Sequence, residues 1–235
     1  MNSAVLLVAM YLAQIPLGGV TVSASGATPT VVQATAGSTF GASPRTVTMT
    51  FSSSIANGDV LLVQGYGYAA SGTWGATPGG TCVVSWSALT PTTSDANQAG
   101  YVGSVTSGGG SSCTVTVTYT WTGASNGVDT TGAQIHNSGS TTIDKSDTSS
   151  GFCTSCNFAL SGGTSHDGDM ICGMESNGAG GNTASSPWAF SLYSNSTGVY
   201  HMVNCYVQTS HGAIATPAFT SSGDNTHRFT FALYP

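Results

Sequence analysis

Apolar and threonine residues alternate along two stretches of the chain with a period of two. Val47, Met49 and Phe51 alternate with Thr46, Thr48 and Thr50. Cys113, Val115, Val117, Tyr119 and Trp121 alternate with Thr114, Thr116, Thr118 and Thr120. This period sends successive side chains to opposite faces, the pattern of a half-buried β-strand. Cys82, Val84 and Trp86 share a face in the same way, as do Met170, Cys172 and Met174, and Val203, Cys205 and Val207. Near the C-terminus, His227, Phe229, Phe231 and Leu233 are set against Arg228, Thr230, Ala232 and Tyr234. Apolar spacing of the helical kind is missing at any useful length.

Two further runs do not alternate. Ala56-Asn57-Gly58-Asp59 leads into Val60-Leu61-Leu62-Val63, and His166-Asp167-Gly168-Asp169 leads into Met170-Ile171-Cys172. Glycine there supplies a turn with positive φ, and aspartate can accept hydrogen bonds from nearby backbone N–H groups. A short uncharged run bounded by turn residues predicts a strand buried on both faces. The same construction is therefore used once per half. Together these signals predict an all-β chain of roughly ten to twelve strands, a two-sheet β-sandwich of jelly-roll type with two similar halves. Gly72 to Thr81, rich in Gly and Pro, reads as a loop carrying Trp74, and Asp144, Lys145 and Asp147 read as a polar link.

Composition narrows the function. Among 235 residues, 5% are charged, against roughly 25% in an ordinary globular protein. Arg45, Lys145 and Arg228 are the only basic side chains and the formal net charge is -6, so a basic patch for nucleic acid is excluded. A surface so poor in charge also lacks the usual protection against self-association.

The N-terminus carries an apolar stretch, Ala4 to Ala13, too short to span a bilayer as a helix. Val22-Ser23-Ala24 behind it fits a signal-peptidase site with Ser25 as the new terminus, although Met1-Asn2-Ser3 brings no basic residue. Residues 1–24 are thus a signal peptide, or else a retained arm whose Val5, Leu6, Leu7, Val8 and Leu12 pack against a neighbour. Residues 25–235 form a single domain. The localisation expected is secreted, extracellular or cell surface.

In that compartment six cysteines read as disulfides. Shared strand faces favour Cys82 with Cys113 and Cys172 with Cys205, and leave Cys153 with Cys156 as a stapled loop. A CxxC could also be a redox pair or half a zinc site. It lacks the helix N-terminus that activates a thiol, and no second ligand pair follows it.

The Ala-x-Gly-Asp turn, the Thr/Val strand Thr114 to Tyr119 and the closing Ala232-Leu233-Tyr234-Pro235 together resemble a broad family of secreted Gly/Ser/Thr-rich β-sandwich modules. These modules occur in bacterial extracellular and phage-associated proteins, largely without assigned function. The resemblance spans Val31 to Pro235 and implies fold and location; it brings no catalytic residues, and the six cysteines depart from its pattern.

Candidate sites are few. Asp167 and Asp169, with His166 beside them, could hold a metal such as Ca2+, and Asp144 with Asp147 form a second acidic group. The plainer reading is turn chemistry, which Asp59 performs without a cluster. Tyr66, Tyr68, Trp74 and Trp188 fall near loops or strand ends, where exposed rings could stack on sugars; aromatic rings also commonly cap a sandwich core. Glu175 is the only glutamate and no Gly-x-Ser-x-Gly elbow occurs, so no catalytic residues are assigned. The expectation is a non-enzymatic extracellular structural or adhesive surface protein that self-associates, in its most specific form a filament subunit. Alternatives are a carbohydrate-binding module recognising surface glycans and, third, a viral decoration protein or secreted hydrolase.

Overall fold

The computed structural model describes residues 29–67, 74–89, 98–107, 110–124, 126–136, 142–177, 183–184, 190–196, 199–215 and 218–234. Within them the chain forms strands and no helix: β1 (Thr30–Gly41), β2 (Arg45–Phe51), β3 (Val60–Gly67), β4 (Trp74–Gly80), β5 (Val83–Ala88), β6 (Gln98–Ser107), β7 (Cys113–Trp121), β8 (Asn126–His136), β9 (Ile143–Asn157), β10 (Met170–Asn177), β11 (Thr183–Ala184), β12 (Phe190–Ser196), β13 (Val199–Val207) and β14 (Ala218–Leu233).

The alternating Thr/apolar segments pair as the pattern demands. β2 and β7 are antiparallel partners in a three-stranded sheet ordered β2-β7-β4. Val47, Met49, Phe51, Val115, Val117 and Tyr119 are buried on one face. The threonines line the other, where Thr46 and Thr118 hydroxyls lie 3.0 Å apart. The buried face packs on Leu61, Val63 and Val128 of a second sheet, ordered β1-β8-β3-β6-β5. The opposite face of that second sheet presents Val60, Leu62, Ala133 and Ile135 to Met170, Cys172, Met174, Val203, Cys205, Phe229, Phe231 and Leu233 of a third. β3 is therefore covered on both sides, which is why its sequence is continuously apolar rather than alternating. Each such side chain contributes roughly 1.5–3 kcal/mol of burial free energy.

The first eight strands switch between the inner and outer sheets in jelly-roll order, except that β5 pairs with β6. The sandwich is present, and a third layer stands on it.

The two large sheets repeat one plan. The order β1-β8-β3-β6-β5 in the first half is matched by β9-β14-β10-β13-β12 in the second. The registers superimpose: Val60 opposes Ile135 as Met170 opposes Leu233, and Leu62 opposes Val102 as Cys172 opposes Cys205. The turns match as well. Gly58 N donates to Val105 O and Val105 N to Asp59 O; Gly168 N donates to Gln208 O and Gln208 N to Asp169 O. Gly58 and Gly168 have φ of 88° and 85°, the left-handed conformation that glycine takes without steric cost. Even the β-bulge recurs, with Val32 the extra residue in β1 and Asp144 in β9.

The halves differ in their outer cover. The first sheet carries β2-β7-β4, whereas the outer face of the third sheet is covered by Phe158 and Leu160 before β10, with Ile214 after β13. Phe158 lies so close to Gly173 that a Cβ there would sit 2.6 Å from its ring.

Three expectations need correction. Trp74 to Gly80, expected as a loop, is the edge strand β4; Pro78 is tolerated there because an edge strand can spare a donor. The segment through Asp144, Lys145 and Asp147, expected as a polar link, is part of β9, paired along β14. Cys153 and Cys156 also lie in β9 rather than in a loop. The disulfides are Cys82–Cys113, Cys153–Cys156 and Cys172–Cys205, and no cysteine is free.

Candidate functional site

The repeated turn sets up two equivalent corners that have been finished differently. In the first half, Asp59 is 1% exposed and fully engaged. Ala56 N donates to Oδ2 at 2.8 Å, Gln134 Nε2 to Oδ2 at 2.5 Å, and His136 Nδ1 lies 2.6 Å from Oδ1. Register places Ala232 and Tyr234 of the second half where the first has Gln134 and His136. Alanine has no donor to offer, and the Tyr234 ring packs on His166 with centroids 4.0 Å apart.

Asp169 is 0% exposed, and neither of its oxygens has a hydrogen-bond partner. What faces it instead is Asp144, thrust inward by the β9 bulge, and His166 from the preceding turn. One ligand-capable atom from each of Asp144, His166 and Asp169 lies within 4.8 Å of the others. Bulges commonly re-aim a side chain in this way. Asp144 is held by Ser165 N, which donates to Oδ2 at 2.6 Å. Its Oδ1 is 3.5 Å from His166 Nδ1, an electrostatic contact that closes no hydrogen bond.

The electrostatics reflect two carboxylates forced together. Burial, reinforced by the neighbouring Asp144 carboxyl, pushes Asp169 up to about 6. Burial opposes ionisation of Asp144 too, but hydrogen bonds from Ser165 outweigh it and hold that carboxyl below its usual range. His166 favours the charged form of both carboxyls but does not offset burial at Asp169.

Of the expected metal pair Asp167 and Asp169, Asp169 faces Asp144 and His166, and Asp167 does not join them. Asp167 turns away from Asp169: it is exposed, and its Oδ1 accepts from His211 N at 2.7 Å and lies 2.7 Å from His211 Nδ1. Asp147 is likewise separate, accepting from Ser161 N at 3.0 Å and Ser161 Oγ at 2.6 Å. Asp144, 25 positions before Asp169 and grouped in the sequence with Asp147, is the acid brought beside Asp169; the bulge that aims it has no local sequence mark.

Tyr66 does not serve as an exposed sugar-stacking ring. It is 4% exposed and stacks on His227 with centroids 3.5 Å apart, because an even position on β3 faces the third sheet. Tyr68 and Trp188 lie outside the described residues, as do Val5, Leu6, Leu7, Val8 and Leu12; of Trp74 the backbone alone is described.

Between the sheets, beyond the apolar core, lies a buried polar layer. His201 is 0% exposed, 2.9 Å from Thr131 Oγ1 and 3.3 Å from Ser176 Oγ through Nδ1. Burial holds its ring well below the usual histidine range, at about 4, so it is neutral in the fold. Ser176 is 1% exposed, so this Ser–His contact is sealed from solvent.

Large exposed apolar side chains sit on strands at sheet margins: Phe40 at 71% and Val32 at 42% on β1, Val83 at 51% on β5, and Phe152 at 71% on β9. Among the described residues no helix is long and apolar enough to cross a membrane. Compared with known proteins, the chain matches no family, no curated protein and no solved structure.

Proposed function

We propose that the chain is a non-enzymatic extracellular structural or adhesive surface protein that associates with copies of itself. The observation that carries this reading is the placement of Phe40, Val83 and Phe152, exposed apolar side chains on the marginal strands β1, β5 and β9. Natural sheets usually protect such margins with lysine, proline or charge, and this chain has one lysine in total. An extended segment laid along a margin gains main-chain hydrogen bonds while alternate side chains set its register. The apolar stretch Val5 to Leu12 has the length and composition to be that segment. A head-to-tail contact of this kind builds a filament when its rotation does not close. Three disulfides support an oxidising, extracellular setting.

The test is sedimentation and negative-stain microscopy of the full chain, of a chain beginning at Ser25, and of Phe40→Lys and Phe152→Lys. Concentration-dependent assembly weakened by the lysine variants supports the reading, and loss of assembly on truncation assigns the arm. A full chain that stays monomeric at millimolar concentration overturns it.

A further inference from the structure

We propose that Asp144, His166 and Asp169 form a binding site for one divalent transition-metal cation, Zn2+, with water completing its coordination.

The first support is an unmet need. Asp169 is 0% exposed, and neither carboxylate oxygen meets a donor at full hydrogen-bonding geometry; the His166 backbone N–H is the least of the influences on it. Buried polar groups are nearly always satisfied, and those that are not call for a specific explanation such as an ion. The fold has a protein-only answer to the same problem, since Asp59 receives Ala56 N, Gln134 Nε2 and His136. At the matching corner His166 N stands where Ala56 N does, but Gln134 and His136 are replaced by Ala232 and Tyr234, and a second carboxylate is brought in. Adding negative charge beside an unpartnered buried carboxylate worsens the apo corner and suits a cation.

The second support is the donor set. Calcium takes six to eight oxygen ligands, whereas this corner offers two carboxylates and an imidazole. Carboxylate oxygen and imidazole nitrogen at three protein positions, with an open place for water, are zinc ligands. Nitrogen and oxygen donors around zinc stand about 3.3 Å apart when bonds are about 2.0 Å. Separations within 4.8 Å therefore need a modest closure. His166, on a turn with its side chain 43% exposed, has the freedom to make it. The ion would tie the β9 bulge to the turn that opens β10, a staple between strands that are not hydrogen-bonded to each other.

The site is tested on the full oxidised chain, freed of metal with EDTA and titrated with ZnCl2 by calorimetry, with bound metal counted by mass spectrometry. One Zn2+ per chain is expected, with a thermal midpoint raised by zinc. Asp144→Asn and His166→Ala should each weaken binding at least tenfold and abolish the thermal shift. Asp167→Asn, which alters the exposed Asp167–His211 pair, should change neither. His166→Ala removes a half-exposed side chain, so its fold, checked by circular dichroism, keeps the test valid if Asp144→Asn fails to fold. The proposal is overturned by absence of saturable Zn2+ binding, by binding that survives both variants or is lost in Asp167→Asn, or by Ca2+ binding more tightly than Zn2+.

Discussion

His136 Nδ1 lies 2.6 Å from Asp59 Oδ1, while Tyr234, its counterpart in the second half, turns its ring onto His166 and gives Asp169 no hydrogen bond. Two corners with the same backbone hydrogen bonds thus differ in whether the protein itself satisfies a buried acid. That difference makes the pair a controlled comparison within one chain.

Replacing Asp59 by Ala removes the acceptor for Ala56 N, Gln134 Nε2 and His136 at once. Orphaning buried donors costs about 1–3 kcal/mol each, so a total loss of roughly 3 kcal/mol is expected in urea unfolding. In EDTA, Asp169→Asn should cost less than about 1 kcal/mol or stabilise, because it removes an unpartnered charge. Equal losses at both positions would contradict the account of the two corners.

His201 makes the fold acid-sensitive. Its folded pKa of about 4 lies below the 6.5 of an unfolded histidine, because burial disfavours the charged ring. As pH falls below 6.5 the unfolded chain takes up this proton first, so stability declines down to about pH 4 and then levels off. The gap corresponds to about 3 kcal/mol. Thr131 and Ser176 face the ring; His227 shares Ser176 as a cross-strand neighbour, and Asp129 lies two residues from Thr131 on β8. Urea midpoints measured between pH 7 and 4 should show a shallower decline in His201→Gln than in the parent. Parallel curves would place the sensitivity elsewhere.

Gly100 and Phe229 join the halves by close approach. A Cβ at Gly100 would lie 2.4 Å from the Phe229 ring, which is wholly buried. Gly100→Ala should cost about 1–3 kcal/mol through overpacking. Phe229→Leu alone should destabilise as well, but the double variant should lose less than the sum of the two. Strict additivity would mean that the ring has room to move.

The disulfides should not be equivalent. Chain-entropy arguments give roughly 3–4 kcal/mol for Cys172–Cys205 and Cys82–Cys113, with separations of 33 and 31 residues, and roughly 2 kcal/mol for Cys153–Cys156, with a separation of 3. Paired Cys→Ala variants in thermal unfolding should follow that order. A Cys153/Cys156 variant as damaged as the other two would assign that bridge a packing role near Phe158 and Met202.

Much of this architecture could be read from local pattern. Side-chain parity marked β2 and β7, and it put Cys172 and Cys205 on faces that register then brings opposite each other. The doubled Gly-Asp turn announced the doubled sheet. What stayed hidden was set by residues far apart in the chain. β4 carries the loop signal of Pro78 and its neighbouring glycines but needs β7 to become a strand, and Pro78 is acceptable only because that strand is marginal. Tyr66 reads in the sequence as a ring near a strand end, since nothing near it tells of His227 stacking on it. Asp144 reads in the sequence as part of a polar link and an acidic group with Asp147, because its position beside Asp169 depends on a bulge defined by pairing with β14.

The repeated sheet also has a consequence for biosynthesis. When the ribosome has delivered His136, every strand of the first jelly roll exists, yet Val60, Leu62, Ala133 and Ile135 still await the sheet that will cover them. The partner is complete only at Leu233, and at roughly 5–20 residues per second the wait lasts about 5–20 s. During that interval the nascent chain displays a sticky plane shaped to receive a sheet of its own strand order, so another nascent first half is a geometrically apt wrong partner. Crowded polysomes would therefore be the setting in which this protein is most exposed to mispairing, and a chaperone that shields the plane until the last strand emerges would raise its yield.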